Sequence, residues 1–131
     1  HGLEKISTFK KFFKEINNIR SKLVTYLKKL KSLNKVIHGY GASTKGNVLL
    51  QYFNIDKNIL SFISEKNKEK FNLFTPGTGI PIISENKSRQ IKPDYYLVLP
   101  WHFKKEILKK EKKILSKGTK FIFPLPKISF Y

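Results

Sequence analysis

The stretch Lys35-Val36-Ile37-His38-Gly39-Tyr40-Gly41-Ala42-Ser43-Thr44-Lys45-Gly46-Asn47-Val48-Leu49-Leu50-Gln51-Tyr52-Phe53 decides the fold. Its first six residues are a short β-type run ending in Gly39-Tyr40. A glycine-bounded turn follows from Gly41 to Gly46, and Asn47 to Phe53 then reads as helix. Strand, glycine turn and helix in that order are the unit from which open α/β sheets are built. In such sheets ligands bind beyond the carboxyl ends of the strands, where strand order reverses. This turn leaves its strand at that edge.

The alternation continues downstream. Ile59 to Ser64 predicts a second strand, and Thr75-Pro76-Gly77-Thr78-Gly79 is a strong turn. Ile80 to Ile83 predicts a short third strand, which Pro81 assigns to an edge or an irregular position. Ser84 to Ile91 reads as a short helix or loop. Tyr95 to Leu99 is a clear strand, and Phe103 to Ser116 a helix stopped by Gly118. Lys120 to Phe123 is the last strand, before Pro124-Leu125-Pro126. The class is therefore α/β, with a mostly parallel sheet of about five strands and helices on its faces.

Upstream, Leu3, Ile6, Phe9, Phe13, Ile16, Ile19, Leu23, Leu27 and Leu30 recur at helical spacing and form one apolar stripe. Lysines occupy much of the remaining surface. Asn17-Asn18 leaves one long amphipathic helix or two shorter ones open. A stripe of this kind packs on a sheet or a neighbouring domain, or lies on an anionic membrane.

Composition narrows the functional classes. The 131 residues suit one domain, and 40% hydrophobic residues are too many for a disordered basic tail. No run of about 18 apolar residues exists to span a bilayer. Without cysteine there are no disulfides and no thiolate metal sites, and a cytoplasmic location is expected. The chain begins His1-Gly2 and has no methionine, which predicts a piece of a longer polypeptide with His1 as a tag remnant. A net charge of +18 attracts polyanions, yet Arg20 and Arg89 are the only arginines. Specific nucleic-acid readers lean on the planar guanidinium, so Lys-rich solvated faces fit this charge better than a nucleic-acid surface.

The glycine turn carries the candidate chemistry. Gly39 and Gly41 permit positive φ and close backbone approach, and the helix that follows offers unpaired N–H groups to an anion. Ser43 and Thr44 add hydroxyls, Lys45 a mobile charge, and Gly46-Asn47 complete the turn. The same glycines would also serve a tight strand-to-helix connection with no ligand. Lys45 precedes Gly46, which is not the Walker order, and four residues separate Gly41 from Gly46, which is not the dinucleotide spacing. Glu65, after the second strand, stands where a ribose-binding acid would. His38 and His102 lack an evident partner carboxylate, no metal-ligand spacing exists, and no catalytic set emerges.

Four segments together carry a family resemblance: G-Y-G-A-S-T-K-G-N-V-L-L-Q-Y-F, T-P-G-T-G-I-P-I, P-D-Y-Y-L-V-L-P-W-H-F-K-K-E-I and G-T-K-F-I-F-P-L-P. Over Val36 to Pro126 the chain resembles the C-terminal domain of S-adenosylmethionine-dependent sugar C-methyltransferases. The resemblance implies a Rossmann-like three-layer domain over residues 35–131, with residues 1–34 as a helical connector from an upstream domain. It implies that zinc and S-adenosylmethionine bind earlier domains, not this chain, which alone is inactive. This domain would wall the cleft for a nucleotide-linked deoxysugar. Gly39, Tyr40, Gly41, Ala42, Ser43, Thr44, Lys45, Gly46, Asn47 and Glu65 are then the expected ligand contacts. Where the family carries Asp-Arg-Asn-Pro-x-Lys, this chain has Glu65-Lys66-Asn67-Lys68-Glu69-Lys70.

Overall fold

The computed structural model describes residues 2–131, with side chains from Glu4 onward. The readings of His1 and of the Leu3 side chain fall outside the described residues. A single unbroken helix, α1 (Gly2–Ser32), comes first, so Asn17-Asn18 does not divide it. Then follow β1 (Ile37–Tyr40), α2 (Thr44–Phe53), β2 (Phe62–Glu65), β3 (Ile82–Ser84), α3 (Glu85–Ile91) and β4 (Tyr95–Val98). The chain ends with α4 (Lys104–Lys110), α5 (Lys112–Ser116), β5 (Lys120–Phe123) and β6 (Ser129–Phe130).

The six strands form one sheet in the order β3-β2-β1-β4-β5-β6. All pairs are parallel except β5 with β6, where Ile122 opposes Phe130. β3 is the edge strand that Pro81 foretold. β6 is an addition to the expected five. It lies beyond two prolines and is two residues long, too short for any periodicity to reveal. The expected helix from Phe103 to Ser116 is two helices separated at Glu111, preceded by a 3-10 turn at Trp101–Phe103.

Alternation along the strands sorts side chains onto two faces. Ile37, Ile63, Leu97, Leu99 and Ile122 face one way and pack with Leu49, Leu50 and Phe53 of α2 and Leu23, Leu27 and Leu30 of α1. Tyr40, Tyr96, Val98, Phe121 and Phe123 face the other way and pack with Ile107 and the apolar residues of α4 and α5. A three-layer α/β/α domain results. Only the second half of the α1 stripe is used for this core; Ile6, Phe9 and Phe13 remain exposed.

α2 starts at Thr44 because Ser43, in extended conformation, caps it by accepting from Gly46 N–H at 3.0 Å. It can lie low on the sheet only because residue 46 is glycine. A Cβ there would sit 2.5 Å from Leu99 Cβ and 2.8 Å from Ser43 Oγ. Gly39 has a similar role within β1. It does not adopt the positive φ expected of it, and the Ile63 side chain fills the space a Cβ would need.

The second face carries buried polar groups. His38, with no exposed surface, shares a 2.7 Å hydrogen bond between Nδ1 and Ser88 Oγ, and Ser88 Oγ lies 2.6 Å from the Tyr96 hydroxyl. Its Nε2 has no partner among the described residues, so the ring is held neutral by burial, with its pKa pushed down to about 4. Beside it, Arg89 grips buried Glu111 through both carboxylate oxygens, at 3.0 and 2.9 Å.

Two outcomes follow from this packing. Gly46→Ala forces the first turn of α2 off Leu99 and costs about 1–3 kcal/mol in urea unfolding at neutral pH. His38 binds a proton more readily unfolded, near its ordinary 6.5, than folded, near 4. Its contribution is therefore complete above about pH 6.5 and lost as pH falls toward 4, on the order of 3 kcal/mol in total. Urea titrations across that window show a slope, and His38→Gln flattens it between pH 6.5 and 5, above the range in which most carboxylates titrate.

Candidate functional site

The strand order places the topological switch between β1 and β4. The chain returns from β1 through α2 to β2 on one side, then crosses through α3 to β4 on the other. The glycine turn therefore leaves β1 at the carboxyl edge of the crevice, facing the Leu99-Pro100 turn after β4. Gly41 has φ +84°, and a Cβ at that position would lie 3.0 Å from Pro100 Cδ. Here glycine serves both the left-handed backbone and the close approach.

The backbone of the turn is largely accounted for within the chain. Gly41 N–H donates to Ser64 O at 2.8 Å, and Leu99 N–H to Tyr40 O at 3.1 Å. Ala42 N–H donates to Glu65 Oε1 at 2.8 Å, while Lys70 Nζ donates to Ala42 O at 2.7 Å. Glu65 Oε2 accepts from Asn67 N–H at 2.9 Å. Glu65 is thus a brace between the first and second βα turns, and its carboxylate also lines the crevice. A ligand phosphate cannot take the Ala42 N–H while the carboxylate holds it.

What remains open is the start of α2. The N–H groups of Thr44 and Lys45 belong to the first helical turn, which has no intrahelical acceptor for them, and both residues are exposed. They carry the positive end of the α2 dipole, with the Thr44 hydroxyl and Lys45 ammonium beside them. Asn47 Oδ1, shielded from solvent, accepts no hydrogen bond among the described residues. Gly39, Ala42 and Gly46 are buried.

On the other side of Gly41 lies a crevice of about 260 Å³, lined by Tyr40, Glu65, Lys66, Glu85, Phe103 and Lys110 among others. Burial, then the nearby Glu111 and Glu85 carboxylates, pushes the Tyr40 hydroxyl above its usual range, so it stays a neutral phenol. Burial lowers the Lys110 ammonium, and Lys66 across the crevice lowers it further, against the pull of Glu85. Lys66, Phe103 and Lys110 were not anticipated as site residues. Lys66 could have been noticed as the neighbour of Glu65. Nothing local marks Lys110, which reaches the crevice because α4 covers the second face.

No three His, Cys, Asp or Glu side chains converge to hold a metal among the described residues, and the chain has no cysteine. His102, in the 3-10 turn after β4, is exposed. No described helix is long and apolar enough to cross a membrane.

Against this geometry, the family model for the C-methyltransferase C-terminal domain matches residues 1–126. The chain is 32% identical over 125 residues to the C-methyltransferase NovU of Streptomyces niveus, which covers 95% of this chain and 30% of that protein. It thus spans about a third of the length of this relative. The match over nearly every residue, on a sheet with the glycine turn at its switch point, shows that the chain belongs to the C-methyltransferase C-terminal domain family.

Proposed function

We propose that this chain is the substrate-side domain of a C-methyltransferase that acts on a nucleotide-linked deoxysugar. In this reading it binds the nucleotide diphosphate while methyl transfer from S-adenosylmethionine takes place on an upstream domain. The observation that carries it is the open start of α2 at the switch point, where exposed Thr44 and Lys45 carry N–H groups without intrahelical acceptors, a hydroxyl and an ammonium. A diphosphate is the natural anion for that set, with Ser43 and Asn47 as flanking polar groups. Glu65 braces the turn, and the lone pairs it does not use for Ala42 and Asn67 suit a ribose hydroxyl.

The division of labour follows from what these residues do chemically. They hold and orient an anion; none is poised to move a proton to or from a carbon. Residues 35–131 act as the Rossmann-like receiving domain and residues 1–34 as the helical connector. S-adenosylmethionine would supply an electrophilic methyl group, and the residues that bind it belong to the upstream domain, as does any zinc.

Titration of the ¹⁵N-labelled chain with a nucleoside diphosphate and with a nucleotide-linked deoxysugar is expected to shift the amides from Tyr40 to Asn47. Shifts confined to other regions, or methyl transfer by the isolated chain, would overturn the reading. Lys45→Ala is expected to weaken nucleoside diphosphate binding about fivefold and leave thermal stability unchanged, since the side chain is exposed. Glu65→Ala releases the Ala42 N–H and lowers stability by about 1–2 kcal/mol, measured by urea unfolding.

A further inference from the structure

We infer that the apolar groove between the first half of α1 and the outer face of α2 seats the methyl-donor portion of the C-methyltransferase polypeptide, which thereby closes over the start of α2. This rests on the reading of the chain as a substrate-side domain.

From Glu4 to Glu15 every residue of α1 is exposed, yet the segment keeps its apolar stripe. Phe9 is 64% exposed, Phe12 57% and, on the facing side of α2, Val48 63%. Phe13 meets Phe9 in a tilted contact and Phe12 edge-on, with centroids 5.2 Å and 6.0 Å apart. The helix is tied to the body just beyond them. Tyr52 donates to Asn17 Oδ1 at 2.9 Å, and Arg20 lies over the Tyr52 ring at 5.6 Å. Before that tie about three turns project without support, a length that is marginal as an isolated helix in water. An apolar stripe on such a projection is consistent with helix that completes its packing elsewhere.

The groove beneath it, about 250 Å³, is lined by Phe12, Phe13, Lys45, Val48, Tyr52 and Trp101 among others. Lys45 is the same residue that stands at the open start of α2, and Trp101 follows the β4 turn that faces Gly41. Whatever sits in the groove therefore borders the candidate ligand site and can wall it from water. That matters because the open helix start and the 260 Å³ crevice are too exposed and too small to enclose a whole nucleotide-sugar.

The occupant is argued from three facts. The matched relative carries 70% of its length beyond the part that this chain covers, so a large polypeptide belongs beside this domain. Charge opposes a second copy. Lys5, Lys10 and Lys14 flank Ile6, Phe9 and Phe13 on the stripe, and each copy would bring +18 to the contact. A partner with an acidic rim satisfies those lysines. A flat lipid surface could take the stripe but would not enter the groove that Trp101 and Tyr52 help line.

Hydrogen exchange of residues 1–131, alone and with the remaining portion of the C-methyltransferase supplied as a separate polypeptide, tests this. The chain has its own core and can be studied alone. Amides of residues 5–14 are expected to exchange about tenfold or more slowly with the donor portion present. Phe13→Glu and Val48→Glu, at exposed positions, each remove that protection without lowering the Tm. Absence of protection overturns the inference. So does equal protection of residues 5–14 by raised concentration of the chain itself, or by phosphatidylcholine–phosphatidylserine vesicles. If the donor portion protects the groove while a nucleoside diphosphate leaves Tyr40 to Asn47 unmoved, the docking stands and the ligand reading fails. The reverse pattern overturns the docking alone.

Discussion

The first turn of α2 lies directly on the end of β4, with no side chain between Gly46 and Leu99. That close approach sets the rest of the switch point. It brings the turn from Gly41 to Ser43 against Pro100, which requires the left-handed backbone at Gly41. It also fixes the start of α2 at the switch point between β1 and β4, with Thr44 and Lys45 exposed. Ser43 caps the helix by accepting from Gly46 N–H, which leaves its hydroxyl proton available to donate.

The peptide of Ala42 shows how the turn keeps its shape without a ligand. A carboxylate at the end of β2 takes its N–H, and a lysine from the segment after β2 donates to its C=O. Charge-assisted hydrogen bonds of this kind are stronger than neutral ones, and two on a single peptide hold its plane in both directions. The Ala42 N–H at the apex is thereby taken, while the N–H groups at the helical end have no intrahelical acceptor. On the opposite face of the sheet, His38, Ser88 and Tyr96 are buried and hydrogen-bonded, and exposed Arg89 closes on buried Glu111, where the first face is mostly aliphatic. One face is thus a hydrocarbon interior held by α1 and α2. The other packs Tyr40, Tyr96, Phe121 and Phe123 with Ile107 of α4 beside these buried polar groups.

Much of this was legible in the residue order. The α/β class, the glycine turn at a strand end, the edge position of the strand after Pro81 and the helix stop at Gly118 all follow from local chemistry. Three features did not. The helix from Phe103 to Ser116 divides at Glu111 because that carboxylate turns inward to Arg89, 22 residues earlier, a pairing with no local signature. β6 forms only because β5 has a free edge for it. The α1 stripe reads as uniform from Ile6 to Leu30, but the sheet extends only far enough to bury its second half.

Glu65 divides the two kinds of information most clearly. Its distance from the first strand marked it as an acid at the carboxyl edge, since strand ends in a parallel sheet gather on one side whatever their order. That it would brace Ala42 rather than stand free depended on the bend after β2, which turns Asn67 and Lys70 back toward the first loop. The chain's order determined which residues reach the switch point, because periodicity and glycine placement act over a few residues. Which donors there stay open, and which side chains are consumed by the fold, was decided by contacts between segments 20 to 30 residues apart, such as Ala42 with Glu65 and Lys70. Those contacts exist only once the sheet has brought the segments together.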